Sequence, residues 1–196
     1  MLSSRPPFYL RPATNDDEDQ CYHIHRASMR DVVAKVYGWD EDFQRAYFAR
    51  EWDPQEIQVI MMTTTMGSSG VDERKVEEGR GLVGENPGEP NLDESHQEME
   101  GENHLTVGSI TLVDKPDCLR LTGFEITPEF QGRGIGTEIL RDLQARAAAR
   151  RVPLYLSVFV VNEQAKALYD RMGFEEIGRS DIKIEMRWVE KAEIGI

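Results

Sequence analysis

Gln131-Gly132-Arg133-Gly134-Ile135-Gly136 is the stretch whose residue types and spacing most directly permit chemistry, lying between a β-rich run and a long helical pattern. Glycines in such a loop let the backbone approach a ligand closely. The first N–H groups of the following helix have no partner inside it and sit at its positive dipole end. Arg133 adds a formal positive charge beside them. The combination suits a phosphate or pyrophosphate, the alternative being glycines that merely form a tight turn. A P-loop would need Gly-Lys followed by Ser or Thr, whereas Gly136 is followed by Thr137-Glu138 and the loop has no lysine. A dinucleotide fingerprint begun at Gly132 would put Thr137 where its third glycine belongs. The pattern present is Gln-x-x-Gly-x-Gly.

The elements that must hold this loop follow from periodicity. Phe8 to Arg11 reads as a first strand closed by Pro12, and Thr14 with Asp17 three residues on reads as a helix start, continued by Cys21, Ile24, Ala27 and Ser28. A second helix is predicted over Asp40 to Arg50, with Phe43, Tyr47 and Phe48 as its apolar stripe. Gln58 to Thr64 is a strand. Leu105 to Val113 and Leu119 to Ile126 form a hairpin across Asp114-Lys115-Pro116-Asp117. From Gly134 a helix runs to about Arg150, with Ile135, Ile139, Leu140, Leu143 and Ala147 on one face. Leu154 to Val161 is an almost continuous apolar run, as in a strand buried on both faces. Asn162 caps a short helix, Glu163 to Met172, ended by Gly173, and Phe174 to Gly178 and Ile182 to Val189 are the last strands. The order β-α-α-β-(insertion)-β-β-α-β-α-β-β is that of a mixed α/β (α+β) chain.

Composition narrows the class. The 196 residues carry 23 Lys+Arg against 36 Asp+Glu, a net charge of −13, with 39% apolar and 30% charged residues. At roughly 100–200 residues per domain, this is one domain with its own core, neither disordered nor membrane-like in make-up. The charge is uneven. Gly67 to His104 holds 11 acids against Arg74, Lys75 and Arg80, a net of −8, which leaves −5 for the rest. That window has no aromatic residue and reads as a flexible acidic insertion within the single domain 1–196. The acidic balance argues against a nucleic-acid partner, and no apolar run approaches the ~20 residues of a membrane span. Cys21 and Cys118 have neither metal nor redox spacing and read as packing residues. With no leader-like pattern, the location expected is cytoplasmic. His23 and His25, two apart on a helix, cannot share a metal, and all four histidines read as structural or solvated. No metal site is expected.

ITPEFQGRGIGTEIL (Ile126 to Leu140) and VNEQAKALYDRMGFEEIG (Val161 to Gly178) together resemble the GNAT acyltransferase superfamily. Its members bind acetyl-CoA through a Q/R-x-x-G-x-G/A loop and carry N-x-x-A-x-x-x-Y-x-x-x-G-F, here Asn162, Ala165, Tyr169, Gly173 and Phe174. The resemblance spans Leu105 to Trp188. It implies a mostly antiparallel central sheet flanked by helices, in which strands 119–126 and 154–161 run parallel and splay apart to admit the pantetheine arm. Acetyl-CoA would then be the cosubstrate, held by Ile126, Thr127, Gln131, Gly132, Arg133, Gly134, Ile135, Gly136, Thr137 and Asn162, with an N–H near Phe124 to Ile126 facing the thioester oxygen.

The activity implied is N-acetyltransfer to a primary amine, on a small cationic molecule or a lysine-like group, by direct attack in a ternary complex. Tyr169 matches the family's usual acid. The base is open. Glu125 is the best-placed carboxylate, although strand alternation could turn it from the cleft. Ser157 stands where some members carry a glutamate, and a water chain reaching Glu125, Glu41 or Asp42 is an equal alternative. Tyr37-Gly38-Trp39-Asp40-Glu41 mixes aromatic and acidic side chains suited to a cation, or else Trp39 simply anchors the second helix. Homodimers are common in folds of this kind. The competing reading is a CoA-binding regulatory or interaction module with a degenerate acceptor site. A nucleotide-dependent kinase would need a lysine and Mg²⁺ ligands that are not found.

Overall fold

Ile135, Ile139, Leu140, Leu143 and Ala147 recur at helical spacing on α3 (Ile135–Arg150) and are all buried, so this helix must lie flat on an apolar surface. That surface is one face of a seven-stranded sheet. Ile60, Ile110, Leu119, Leu121, Leu154, Leu156, Ile184 and Met186 complete the same core, joined by Tyr169 and Phe174. A second, smaller cluster on the opposite face gathers Ala13, Cys21, Ile57, Val59 and Met61, with Phe48 and Trp52 packed against it. The computed structural model describes residues 8–64 and 103–190.

In chain order the elements are β1 (Phe8–Pro12), a 3₁₀ turn (Asn15–Asp17), α1 (Glu18–Tyr37), α2 (Glu41–Glu51), β2 (Ile57–Thr64), β3 (Asn103–Lys115), β4 (Cys118–Ile126), a 3₁₀ turn (Pro128–Phe130), α3, β5 (Leu154–Phe159), α4 (Glu163–Arg171), β6 (Glu175–Arg179) and β7 (Lys183–Trp188). The strands lie in the order β1-β2-β3-β4-β5-β7-β6, and every neighbouring pair is antiparallel except β4 with β5. The mixed α/β class and the parallel pair expected from the sequence are both present. No helix among the described residues is long and apolar enough to cross a membrane.

Three expectations need correction or comment. The apolar run after Pro153 is not buried on both faces: β5 alternates, with Leu154, Leu156 and Val158 buried in the α3 core and Ser157 exposed on the opposite face. The predicted stripe of α2 is also misplaced. Phe43 is 62% exposed and Tyr47 45%, stacking on each other at 6.2 Å, while the inward positions are Gln44 and Phe48 at i, i+4 spacing. The insertion, apart from its last two residues in β3, lies outside the described residues. Thr64 and Asn103, the described residues that bracket 65–102, are cross-strand partners at the end of the β2–β3 ladder.

The entry to α1 is fixed by one carboxylate. Asp17 accepts hydrogen bonds from Arg11 (2.8 and 2.6 Å), the Thr14 N–H (2.8 Å) and the Thr14 hydroxyl (3.0 Å) while only 8% exposed. The Arg11 hydrogen bond, with the Thr14 bonds, outweighs burial and holds its pKa well below the usual carboxylate range. The lowered value means that its contribution to stability is complete above pH ~4 and is lost as pH falls toward the folded-state value. Asp17→Ala should lower unfolding free energy by about 2 kcal/mol in urea melts at pH 7, and the difference should shrink at acidic pH.

Candidate active site

β4 and β5 pair over three positions only, Leu119↔Leu154, Arg120↔Tyr155 and Leu121↔Leu156. Beyond Leu121 the strands separate, leaving one edge of β4 without a strand partner. The separation coincides with a bulge: Thr111↔Gly123 is followed by Leu112↔Leu121, so Thr122 is an extra residue in β4. A Cβ at Gly123 would lie 2.8 Å from Thr111 Oγ1 and 3.2 Å from its Cβ, so the close approach there requires glycine.

The bulge also changes which way the side chains face. Leu119 and Leu121 point into the α3 core, and simple alternation would send residue 125 the same way. The extra residue instead returns Phe124 and Ile126 to that core and turns Glu125 toward α1. Backbone direction follows the same logic. Thr127 N–H donates to Val107 O at 2.9 Å, which fixes the ladder so that the N–H groups of Phe124 and Ile126 face the open edge.

The opening is a cleft of about 410 Å³. Its walls are Ser28, Met29 and Val32 of α1, Phe124 to Ile126 of β4, the loop into α3, and Asn162, Ala165, Leu168 and Tyr169 at α4. Of the twelve residues expected from the sequence, ten border this cleft. Thr127 and Arg133 do not: Thr127 is bonded to β3 through its N–H and hydroxyl, and the Arg133 guanidinium lies over the Phe130 ring at 4.8 Å. Gln131 donates from its side-chain amide to Ile126 O at 2.8 Å, closing the last carbonyl of β4.

Gly132 and Gly134 both have positive φ, +71° and +86°, and Gly134 is the N-cap of α3. The first intrahelical bond of α3 runs from Glu138 N–H to Gly134 O, so the N–H groups of Ile135, Gly136 and Thr137 have no carbonyl within the helix. Ile135, 1% exposed, anchors this turn in the core. The arrangement can bind an anion without any side-chain charge.

Two side chains from α4 reach the same space. Asn162 Oδ1 accepts from Ala165 N–H at 3.1 Å, the helix cap expected from the sequence. The Tyr169 ring packs edge-on against Phe174 at 5.8 Å, and its hydroxyl has no hydrogen-bond partner among the described residues. Burial pushes its pKa up to about 12, so the group is protonated at neutral pH.

At the other wall, His25 Nδ1 and Glu125 Oε1 are 2.8 Å apart, with 17% and 15% of their side chains exposed. Trp39 and Phe48 stand beside the imidazole, with ring centroids at 6.2 and 5.4 Å. The sequence reading left His25 among the structural histidines. The structure places it on the candidate base. The available signal was Gly123, an isolated glycine inside a strand pattern, which marks a bulge and hence a change of face. Glu41 is not a free carboxylate: Trp39 Nε1 (2.8 Å), Tyr22 Oη (2.8 Å) and Arg26 Nε (3.1 Å) donate to it, and these bonds, led by Trp39, lower its pKa. Ser157 is exposed on β5, and Cys21 is buried with its thiol pushed up to about 12 by that burial. Among the described residues no group of three His, Cys, Asp or Glu is placed to hold a metal.

Comparison with known proteins agrees with this geometry. The sequence model of the acetyltransferase (GNAT) family matches residues 88–174. N-alpha-acetyltransferase RimI of Mycobacterium tuberculosis is 43% identical over 53 residues, 27% of this chain, and the match spans about a third of that relative (32%). Among solved structures, a PaiA N-acetyltransferase of Thermoplasma acidophilum in complex with coenzyme A superposes with a TM-score of 0.59 at 12% identity, covering 93% of this chain and 99% of that one. The ribosomal-protein-S18-alanine N-acetyltransferase of Escherichia coli gives 0.54 at 16% identity, with 96% and 98% covered. At such identities the two structures establish a shared fold.

Proposed function

We propose that this chain, whose residues 88–174 match the acetyltransferase (GNAT) family model, transfers an acetyl group from acetyl-CoA to a primary amine. The observation that carries this reading is the open edge of β4, which leads to the unpaired N–H groups of α3 on one side and to the Tyr169 hydroxyl on the other, all within one cleft. The residues fit acetyl-CoA. A Cβ at Gly132 or Gly134 would meet nothing within 4 Å, so the space over the loop is open to a pyrophosphate, and the β4 edge offers backbone groups to an extended amide-bearing arm. When bound, acetyl-CoA supplies an activated carbonyl.

The chain's own groups then divide the work. The N–H groups of Ile135, Gly136 and Thr137 hold phosphate oxygens, and Asn162 and Gln131 border the arm. An N–H of Phe124 or Ile126 on the open edge stabilises negative charge developing on the carbonyl oxygen. Glu125 takes a proton from the acceptor ammonium, breaking an N–H bond and freeing the lone pair that attacks in the ternary complex. Tyr169 donates a hydrogen bond to the departing sulfur. Full transfer from a group near 12 to an ordinary thiolate, about 8.5, is uphill, so the hydrogen bond rather than the proton is its contribution, and the thiolate takes up the second proton that the nitrogen sheds as the C–S bond breaks and the amide forms.

The acceptor favoured is a small cationic amine or a lysine-like amino group, supported by the Glu125 carboxylate on the cleft wall. The protein would work in the cytoplasm, where acetyl-CoA and such amines meet. Thiol release with acetyl-CoA and a panel of primary amines tests the proposal: at least one amine should release thiol well above the rate without enzyme. CoA binding by calorimetry with no turnover on any amine would instead identify a binding module.

A further inference from the structure

His25 is a half-buried titratable group standing behind the cleft wall, bonded to Glu125, to which the proposed reaction gives no part. Its position is well defined. It lies on α1, one turn before Ser28 and Met29, which line the cleft, and its Nδ1 bonds Glu125 Oε1. Gln44, 8% exposed on α2, is a polar neighbour of the imidazole that helps to raise its pKa. Three elements thus converge on one ring, and the second carboxylate oxygen of Glu125 has no other partner among the described residues.

We propose that His25 is a positioning residue for Glu125: through Nδ1–H it holds the carboxylate toward the acceptor, and its own protonation sets the pH below which Glu125 is masked. The inference rests on the acetyltransfer reading of the same cleft. When His25 is protonated, both ring nitrogens donate, to Glu125 Oε1 and to the Gln44 amide oxygen, and the carboxylate is neutralised as an ion pair. When His25 is neutral, Nδ1–H still donates to Glu125, and Nε2 accepts from the Gln44 amide once that amide turns over. Gln44 can serve both states because an amide carries a donor and an acceptor side by side. In the neutral state the free Glu125 oxygen forms an O–H bond with the proton leaving the ammonium, the amine keeps the electron pair, and Glu125 later releases the proton to water.

The surroundings support this assignment. Burial lowers the His25 pKa, but the hydrogen bond and charge of Glu125, with Gln44, more than offset it and leave the value raised above an ordinary histidine. The groups facing the ring are few. From α1 they are Cys21, a buried thiol, and Tyr22, whose hydroxyl is bonded to Glu41; from α2, Gln44 and Phe48; from the α1–α2 connection, Trp39; from β4, Glu125. Glu125 is the charged side chain in direct contact.

The experiment combines two readouts on the full chain. In the first, NMR titration follows the His25 ring in the wild type and in Glu125→Gln. The wild type should titrate above about 6.5, the ordinary value, and the variant below it, since burial would remain while the opposing charge is gone. A His25 pKa at or below 6.5 in the wild type, or one unchanged in Glu125→Gln, overturns the pairing whether or not the protein is an enzyme. In the second, kcat/KM is measured against pH for the best amine found. The wild type should rise about tenfold per pH unit up to the value found by NMR and then level. His25→Gln, which keeps a neutral donor to Glu125, should retain activity and lose that rising limb, whereas His25→Ala should lose about tenfold in kcat with CoA affinity unchanged. A rising limb that persists in His25→Gln would overturn the masking role. If no amine is turned over while the NMR titration behaves as expected, the acetyltransfer reading fails and the coupled pair stands.

Discussion

Replacing Gly134 by valine is expected to raise the dissociation constant for CoA about 100-fold while leaving the protein folded. Gly134 has φ +86° and ψ −10°, a left-handed conformation that costs a non-glycine residue ~1–2 kcal/mol and a β-branched one more. A Cβ there meets nothing within 4 Å, so no core contact opposes the substitution and the strain can be relieved locally. Relief means moving the loop or unwinding the first turn of α3, and either removes the aligned N–H groups of Ile135, Gly136 and Thr137. The new methyl groups also project into the space reserved for the pyrophosphate. A 100-fold loss is ~2.7 kcal/mol, within what several charge-assisted hydrogen bonds supply. Calorimetry for CoA and circular dichroism for the fold check it. Unchanged affinity in a folded variant would place the phosphates elsewhere.

Tyr169→Phe should act on the opposite step, lowering kcat about 100-fold with CoA affinity within a factor of two. The ring is 7% exposed in the main core and edge-packed on Phe174, contacts that phenylalanine keeps. The hydroxyl bonds no protein group among the described residues, so removing it orphans nothing and stability should hold. What is lost is the O–H that we propose donates to the departing sulfur. Because burial drives the phenol to about 12, this donor stays protonated well past neutral pH, and the kcat profile of the wild type should show no tyrosine limb below pH ~10. A Tyr169→Phe enzyme with wild-type kcat would assign the ring to packing alone.

The parts of this site legible in the sequence are those encoded by local backbone requirements. Gly132, Gly134 and the apolar face of α3 specify a loop and a helix start within twenty residues of one another, and Asn162 with Gly173 brackets α4 in the same way. The element order followed from periodicity for the same reason. The His25–Glu125 contact was not legible, because its members are 100 positions apart and meet only through the extra residue at Thr122. The α2 stripe misled because three aromatic residues outweigh one glutamine in any count of apolar periodicity, whereas packing chose Gln44 to meet His25. The run Leu154 to Val161 misled similarly: its apolar residues suggest a doubly buried strand, whereas Tyr155 and Phe159 are only half-buried and Ser157 between them is exposed.

The direct pairing of Thr64 with Asn103 has a practical consequence for protein engineering. Thr64 and Asn103 are adjacent across the ladder, so another sequence joined between them in place of residues 65–102 should leave the register of β2 and β3 unaltered, a port whose cargo can be exchanged. A four-residue turn in its place would shorten the closing loop from 38 residues, a gain of ~2 kcal/mol in loop-closure entropy. The same port would accept a fluorescent or affinity module.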